Sequence, residues 1–377
     1  MSRKRILIFS TAYLPFVGGA EIAVKEITDR LSNDFEFHLI TARLKRNLKS
    51  VEKIGAITVH RIGIGIPLLD KFFLPYCGAW ETLRLNKKEH FIAFWCIMVT
   101  FASGAAYISN WFQKKVPTVL TLQEGDSENW LRYRWLGLLD LSWRLAFRYA
   151  DFLTAISTYL LNRSRRLGYK GKAELIPNGV DIKRFENKNY QPRNSINTLV
   201  TTSRLVEKNA IGDIIEALKF LPPSIRLKIV GTGKLESTLR AKVEKSDLKD
   251  RVEFMGAVPN TELPKYLHEA DVFIRPSLSE GQGISFIEAM AAGLPVIATP
   301  VGGIPDFLKD TETGLFCEVN NPQSIAKQVK RLINDVDLRL RLAENAMQMV
   351  TERYDWNLIA EKMKRQVFDL PAGRQVR

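Results

Sequence analysis

The chain has 377 residues, long for one domain and comfortable for two. Its 46% hydrophobic and 25% charged residues are ordinary for a soluble globular protein and set aside fibrous and low-complexity classes. Net charge is +14 and unevenly spread: residues 1–190 carry 29 Lys and Arg against 17 Asp and Glu, residues 191–377 carry 26 against 24. A basic first half implies an anionic partner (nucleic acid, anionic lipid or a phosphorylated substrate) or serves solubility alone. Cys77, Cys96 and Cys317 have no metal-ligand spacing and suggest a reducing compartment without disulfides. His38, His60, His90 and His268 form no cluster, so no metal site is expected.

In chain order, Ser2–Arg5 followed by Ile6–Phe9 has the charges of a leader peptide. The apolar run is too short and no A-x-A site follows, so Ile6–Ser10 reads as a first buried strand. A loop, Tyr13–Glu21, leads into an amphipathic helix ending near Leu31. Its Gly18 and Gly19 let backbone approach a ligand where a Cβ would clash. Phe35–Thr41 and Ile57–Arg61 read as strands flanking a basic loop, and Ile64–Phe73 is apolar with Gly and Pro. Phe91–Gln113 lacks formal charge and is long enough to span a bilayer. Its internal polar residues favour a strand, Phe91–Met98, and a helix over 100–112 instead. Pro117–Leu122 is another buried strand, ending at Gln123-Glu124-Gly125-Asp126. Trp130–Ala150 carries three tryptophans and four arginines, with Asp140, Arg144 and Arg148 in one polar stripe. Such a helix packs on the first sheet or, along one edge, touches a membrane interface.

A turn, Ile176-Pro177-Asn178-Gly179-Val180-Asp181, and a polar stretch over 186–195 place a domain boundary near residue 190. The second half continues with strand Leu199–Ser203, the segment Arg204–Asn209, and helix Ile211–Phe220. Strand Arg226–Val230 follows, then Gly231-Thr232-Gly233-Lys234, which lacks P-loop spacing. Val252–Met255, Leu263–His268 and helices across Ser324–Val350 keep the alternation, and Tyr354-Asp355-Trp356 opens a last helix. Leu370–Arg377 reads as a frayed tail.

The most informative stretch is Ser277–Phe307, SLSEGQGISFIEAMAAGLPVIATPVGGIPDF. A loop with Glu280, Gly281 and Gly283 precedes a helix over 284–292, closed by Gly293, and then a buried strand Leu294–Ala298. The first amides of such a helix lack partners, and its dipole favours an anion. Glu280 and Glu288 flank that anion site, seven residues between them. Amides for a diphosphate beside carboxylates for sugar hydroxyls suit a nucleotide-sugar.

E-x7-E followed by AMAAGLPVIAT and GGIPD resembles the signature of glycosyltransferase family 4. The likeness extends to PFVGGAE, to IPNGVD and to the RLVEKN segment. It implies an α/β protein of GT-B architecture: two Rossmann-like doubly wound domains facing each other across a cleft. These would be 1–190 on the acceptor side and 191–355 for the donor, with a helix at about 356–370 crossing back. It implies a retaining hexosyltransferase that needs no metal or other cofactor. Its partners would be a nucleoside-diphosphate sugar and a lipid-linked or polysaccharide acceptor in cell-envelope or exopolysaccharide glycan synthesis. By resemblance Arg204 and Lys208 hold the departing diphosphate, Glu280 the donor sugar and Glu288 the ribose. Amides of Gly283, Ile284 and Ser285 meet phosphate, Val258 meets the base, and Gly19 faces the donor. Gly18 and Asp126 lie on the acceptor side. Where the family has a histidine against the donor sugar, this chain has Gln123, which can hydrogen-bond but carries no proton at neutral pH. The family lysine falls on Lys208 or Asn209, of which only Lys208 can neutralise phosphate.

The scattered cysteines suit a cytoplasmic protein, and the basic first half together with Trp130–Ala150 suggests peripheral contact with the inner membrane face. Nucleic acid is not expected, because no nucleic-acid module is readable. The alternatives are a GT-B nucleotide-sugar epimerase and a non-catalytic protein that binds sugar nucleotides or anions.

Overall fold

The structure, a computed structural model, describes residues 3–125, 138–187 and 195–369. The chain forms two compact units, residues 1–178 with 356–377, and residues 179–355.

The first unit is built on an eight-stranded sheet. Its strands are β1 (Lys4–Phe9), β2 (Phe35–Ala42), β3 (Val51–Ile54), β4 (Ile57–Ile62), β5 (Ala93–Ile97), β6 (Thr118–Leu122), β7 (Phe152–Ala155) and β8 (Lys172–Leu175). They lie in the order β3-β4-β2-β1-β5-β6-β7-β8, parallel except for β3 against β4. The central strands are buried at nearly every position, and mostly apolar, because helices cover both faces. The helices are α1 (Gly19–Arg30), α2 (Pro67–Glu89), α3 (Phe101–Phe112), α4 (Leu138–Tyr149) and α5 (Thr158–Arg166). Alternate side chains of one strand feed opposite cores. Leu7 and Phe9 join a cluster with Leu74 of α2, Ala105 of α3 and Trp143 of α4. Ile6 and Ile8 join Val24 and Ile27 of α1 on the other face.

The second unit has a six-stranded, all-parallel sheet. Its strands are β9 (Thr198–Thr202), β10 (Arg226–Val230), β11 (Val252–Gly256), β12 (Val272–Arg275), β13 (Val296–Ala298) and β14 (Leu315–Phe316). The order β11-β10-β9-β12-β13-β14 is that of a doubly wound sheet, with its reversal between β9 and β12. Its helices are α6 (Ile182–Phe185), α7 (Ile211–Ala217), α8 (Glu236–Lys245), α9 (Leu263–His268), α10 (Ile284–Ala291), α11 (Pro322–Asn334) and α12 (Val336–Arg353). The last helix, α13 (Trp356–Met363), returns to the first unit. Trp356, Ile359 and Met363 pack with Ile8, Phe37 and Trp95.

The division falls between Asn178 and Gly179, not near residue 190. The amide of Val180 donates to the Tyr354 carbonyl at 2.8 Å, and Phe185 is buried in the second unit's core, so these residues belong to the later unit. Among the elements that escape the sequence reading are edge strand β3 and the 23-residue helix α2, of which only the apolar start was noted. Of the Trp-rich stretch, residues 130–137 lie outside the described residues, as does Asp126. In α4, Trp143, Ala146 and Phe147 are buried in the core. The Arg163 guanidinium stacks 4.9 Å from the Trp143 ring centroid. The described part of that stretch is therefore a packing helix, with Arg144, Leu145 and Arg148 left exposed. Among the described residues no helix is long and apolar enough to cross a membrane; Phe91–Gln113 resolves into β5 and α3.

Candidate active site

Strands β9 and β12 are neighbours at the point where the strand order reverses, so the loops at their carboxyl ends emerge side by side. The loop after β9 carries Arg204 and Lys208; the loop after β12 carries Glu280. The Leu278 amide donates to the Lys208 carbonyl at 2.7 Å, tying the two loops together. Asn209 is buried, and its side-chain amide donates to the Arg204 carbonyl at 2.7 Å. It serves as internal scaffold for the loop, whereas Lys208 is half-buried and Arg204 exposed. The turn Gly231–Lys234 abuts the same loop, Leu205 donating to the Thr232 carbonyl at 2.9 Å.

The residue that organises Glu280 is Arg275, a cation at the end of an otherwise apolar strand. One guanidinium nitrogen donates to Glu280 Oε2 at 2.6 Å. Another donates to Ser285 Oγ at 2.5 Å and reaches the Thr202 carbonyl at 3.4 Å. The guanidinium also lies 4.2 Å from the Phe286 ring centroid. Burial lowers the pKa of Arg275, while Glu280 and Glu288 act in the opposite direction and Arg204 adds to the lowering. Arg204, Glu280 and Glu288 thus lie within electrostatic reach of one guanidinium. The second Glu280 oxygen accepts from the Gly281 amide at 3.0 Å. Behind it, Gly302 (φ +56°) presses on the loop: a Cβ there would sit 1.8 Å from the Glu280 carbonyl oxygen.

Helix α10 begins at Gly283, whose φ of +91° is costly for any residue with a Cβ. Its N-cap, Gly283, offers no side-chain acceptor to the first turn, where Ile284 and Ser285 stand. Glu288, one turn further, is buried and accepts from the Asn260 side-chain amide at 3.0 Å. Asn260 in turn accepts from Arg184 at 2.9 Å, and Arg184 donates to Asp181 at 3.0 Å. Burial pushes the Glu288 carboxyl up to about 7, against the opposing pull of Asn260, Arg275 and Arg184. Val258, after β11, is half-buried and packs against the second unit's core.

In the first unit, Gly18 and Gly19 stand at the start of α1, at the carboxyl end of β1. Gln123 follows β6, and its Oε1 accepts from Asn178 at 3.5 Å. Beside it, Glu124 accepts from the Val99 amide at 2.7 Å and the Gln123 amide at 3.0 Å, and burial raises its pKa. The second unit thus brings Arg204, Lys208, Glu280, Gly283, Ile284, Ser285 and Glu288 to one end of its sheet. Gly18, Gly19 and Gln123 lie at strand ends of the first unit. Arg275, Asn260 and Arg184 were not foreseen. The available signal was one charge closing the apolar run VFIR at Arg275.

Two doubly wound parallel sheets in one chain are the architecture of the GT-B glycosyltransferases. The structure of sucrose-phosphate synthase from Thermosynechococcus elongatus has this fold, with a TM-score of 0.85 at 22% identity over 97% of this chain and 99% of that one. Residues 182–349 match the family model for glycosyl transferases group 1, and residues 17–184 match that for glycosyltransferase family 4. The chain belongs to glycosyltransferase family 4 and is a transferase. It is 24% identical over 396 aligned residues to the alpha-monoglucosyldiacylglycerol synthase of Acholeplasma laidlawii, covering 97% of each. A shorter match, 33% identical over 237 residues, is to a GDP-mannose-dependent alpha-(1-6)-phosphatidylinositol monomannoside mannosyltransferase of Mycobacterium tuberculosis. That match covers 56% of this chain and 60% of the relative.

Proposed function

We propose that this chain is a retaining glycosyltransferase moving a hexose from a nucleoside-diphosphate sugar to a lipid-linked acceptor in cell-envelope glycan synthesis. The reading places it at the cytoplasmic face of the membrane. What carries it is the meeting of two cations, Arg204 and Lys208, with two carboxylates, Glu280 and Glu288, around the glycine-capped start of α10. The cations stabilise the negative charge that develops on the leaving diphosphate, so no metal is required for that task. Gly283, Ile284 and Ser285 position the phosphates. Glu280, fixed by Arg275, accepts from sugar hydroxyls, and Glu288 from the ribose. Val258 lines the base. Gly19 and Gln123 of the first unit contribute backbone approach and a neutral hydrogen bond to the transferred sugar, and Gly18 and Asp126 attend the acceptor. The lipid-linked acceptor is supported by the two relatives above, whose names place diacylglycerol and phosphatidylinositol glycosides among what they make or act on.

Thermal stability in the presence of UDP- and GDP-sugars identifies the donor, because a ligand bound only to the folded state raises it. Transfer of that sugar to extracted lipid acceptors then tests the reaction. Arg204→Ala and Glu280→Ala each lower transfer at least ~100-fold, the scale of losing one charge-stabilising group. Near-normal turnover in both variants overturns the assignment.

A further inference from the structure

Helix α2 is unusual for a helix on the outside of a doubly wound sheet, because its outward side is apolar. Leu74, Gly78, Thr82 and Leu85 face the sheet and are buried. The exposed residues are Pro67, Leu68, Leu69, Phe72, Phe73, Tyr76, Cys77 and Trp80, followed by Arg84, Lys87 and Lys88. None of them is acidic. The three acids of the helix are otherwise placed. Asp70 is buried and accepts from the amides of Leu44, Ile64 and Gly65. Glu81 is buried against Arg84. Glu89 is half-buried beside Arg5. Leu68 is 79% exposed and Trp80 68% exposed, so this stripe is open to solvent.

Helix α3 extends the face. The two helices run parallel and close: a Cβ on Gly104 would meet Pro75 at 3.3 Å, one on Gly78 would meet Ala105 at 3.0 Å, and Asn86 bonds Gln113 at 3.0 Å. Both bury one side in the same core, so their other sides open outward together. On α3 that outward side shows Phe101, Trp111 and Phe112, the last 72% exposed, and Lys114 follows. An aromatic band with a cationic end is what an interfacial lipid contact requires: rings at headgroup depth, lysines on anionic phosphates. Single exposed apolar residues need no explanation, but a contiguous face of this kind on a soluble fold marks an interaction surface.

We infer that the outward face of α2 and α3 seats the first unit on an anionic lipid bilayer, with Leu68, Phe72, Tyr76 and Trp80 entering the headgroup layer and Lys87 and Lys88 pairing with its phosphates. The surplus of positive charge in residues 1–190 attracts the same membrane at longer range. The inference stands on the first unit alone and does not depend on the donor site of the second.

Cys77 makes the test direct. It is exposed in the middle of the stripe, whereas Cys96 and Cys317 are buried, so a polarity-sensitive thiol fluorophore labels this position selectively. With the full chain, the label shifts to the blue on vesicles of phosphatidylcholine containing phosphatidylglycerol, and much less on phosphatidylcholine alone. Lys87→Ala/Lys88→Ala weakens binding about 25-fold, at about fivefold per surface charge. Phe72→Glu/Trp80→Glu removes the shift while the circular dichroism spectrum and melting temperature of the chain are kept. The inference is overturned if anionic vesicles leave the label unchanged, or if the shift survives Phe72→Glu/Trp80→Glu. It is equally overturned if sedimentation shows a dimer that those substitutions split while vesicles do nothing, because a second copy would then cover the face.

Discussion

Arg275 shows how much of a site can hang on one buried cation. Its guanidinium holds Glu280, Ser285 and the end of β9 at once, and stacks on Phe286. Arg275→Ala leaves Glu280 without its partner and should cost about 3–5 kcal/mol of the second unit's stability. Arg275→Met/Glu280→Gln should cost less than the sum of the single changes, which denaturant titration of the four proteins checks. Glu288 adds a pH signature. Its carboxyl sits at about 7, so its charge changes near neutrality. Donor binding that uses the ionised form must remove a proton below that pH. The donor dissociation constant should rise as pH falls from 8 to 6, by up to ~10-fold per unit below the pKa. Glu288→Gln should flatten that dependence in a calorimetric titration. Glu280 and Glu288 were legible in the sequence because their spacing along one loop and helix is local. Arg275 and Asn260 were not, because β12 and the loop after β11 reach those carboxylates only once the sheet has formed.

At the scale of elements, α2 escaped the sequence for a physical reason that bears on its use. A helix is read from apolar residues on one side and polar ones on the other. Here Leu74 and Leu85 are apolar inward while Phe72, Phe73 and Trp80 are apolar outward, which erases the periodicity. Pro75 inside the helix adds a second contrary signal. The alternation of β1, β5 and β6 with their helices was readable because those strands are apolar on both faces. Neighbouring β2 and β4 carry His38 and His60, stacked with ring centroids 5.3 Å apart and their nitrogens 3.1 Å apart. Burial lowers both pKa values, that of His60 to about 4 with His38 adding to the lowering, while Glu89 and Glu36 oppose it at His38. The unfolded chain takes up protons near 6.5, before the folded one does. The stability contributed by keeping the pair neutral is therefore full above about 6.5 and is lost as pH falls toward about 4. The melting temperature should drop across that window, and His60→Asn should make the drop shallower.

At the scale of the whole molecule, the two-domain plan and the return of the last helix were legible, while the division was displaced. The polar run over 186–195 looks like a joint by composition. The chain leaves the first unit earlier, because Val180 bonds Tyr354 and Phe185 enters the second core. The second unit is thus inserted between Asn178 and Trp356 of the first. A chain ending at Asp355 should keep a protected second unit and lose protection across β1, β2 and β5, since Trp356, Ile359, Met363 and Phe368 cover Ile8, Phe37 and Trp95. Hydrogen exchange read by mass spectrometry checks this segment by segment.

That insertion has a bearing on biosynthesis. The ribosome delivers the sheet of the first unit early, yet the wall closing one side of it, residues 356–368, emerges only after the entire second unit has been translated. The nascent amino-terminal half must wait with greasy surface uncovered, and a chaperone occupying the groove destined for α13 would bridge that interval.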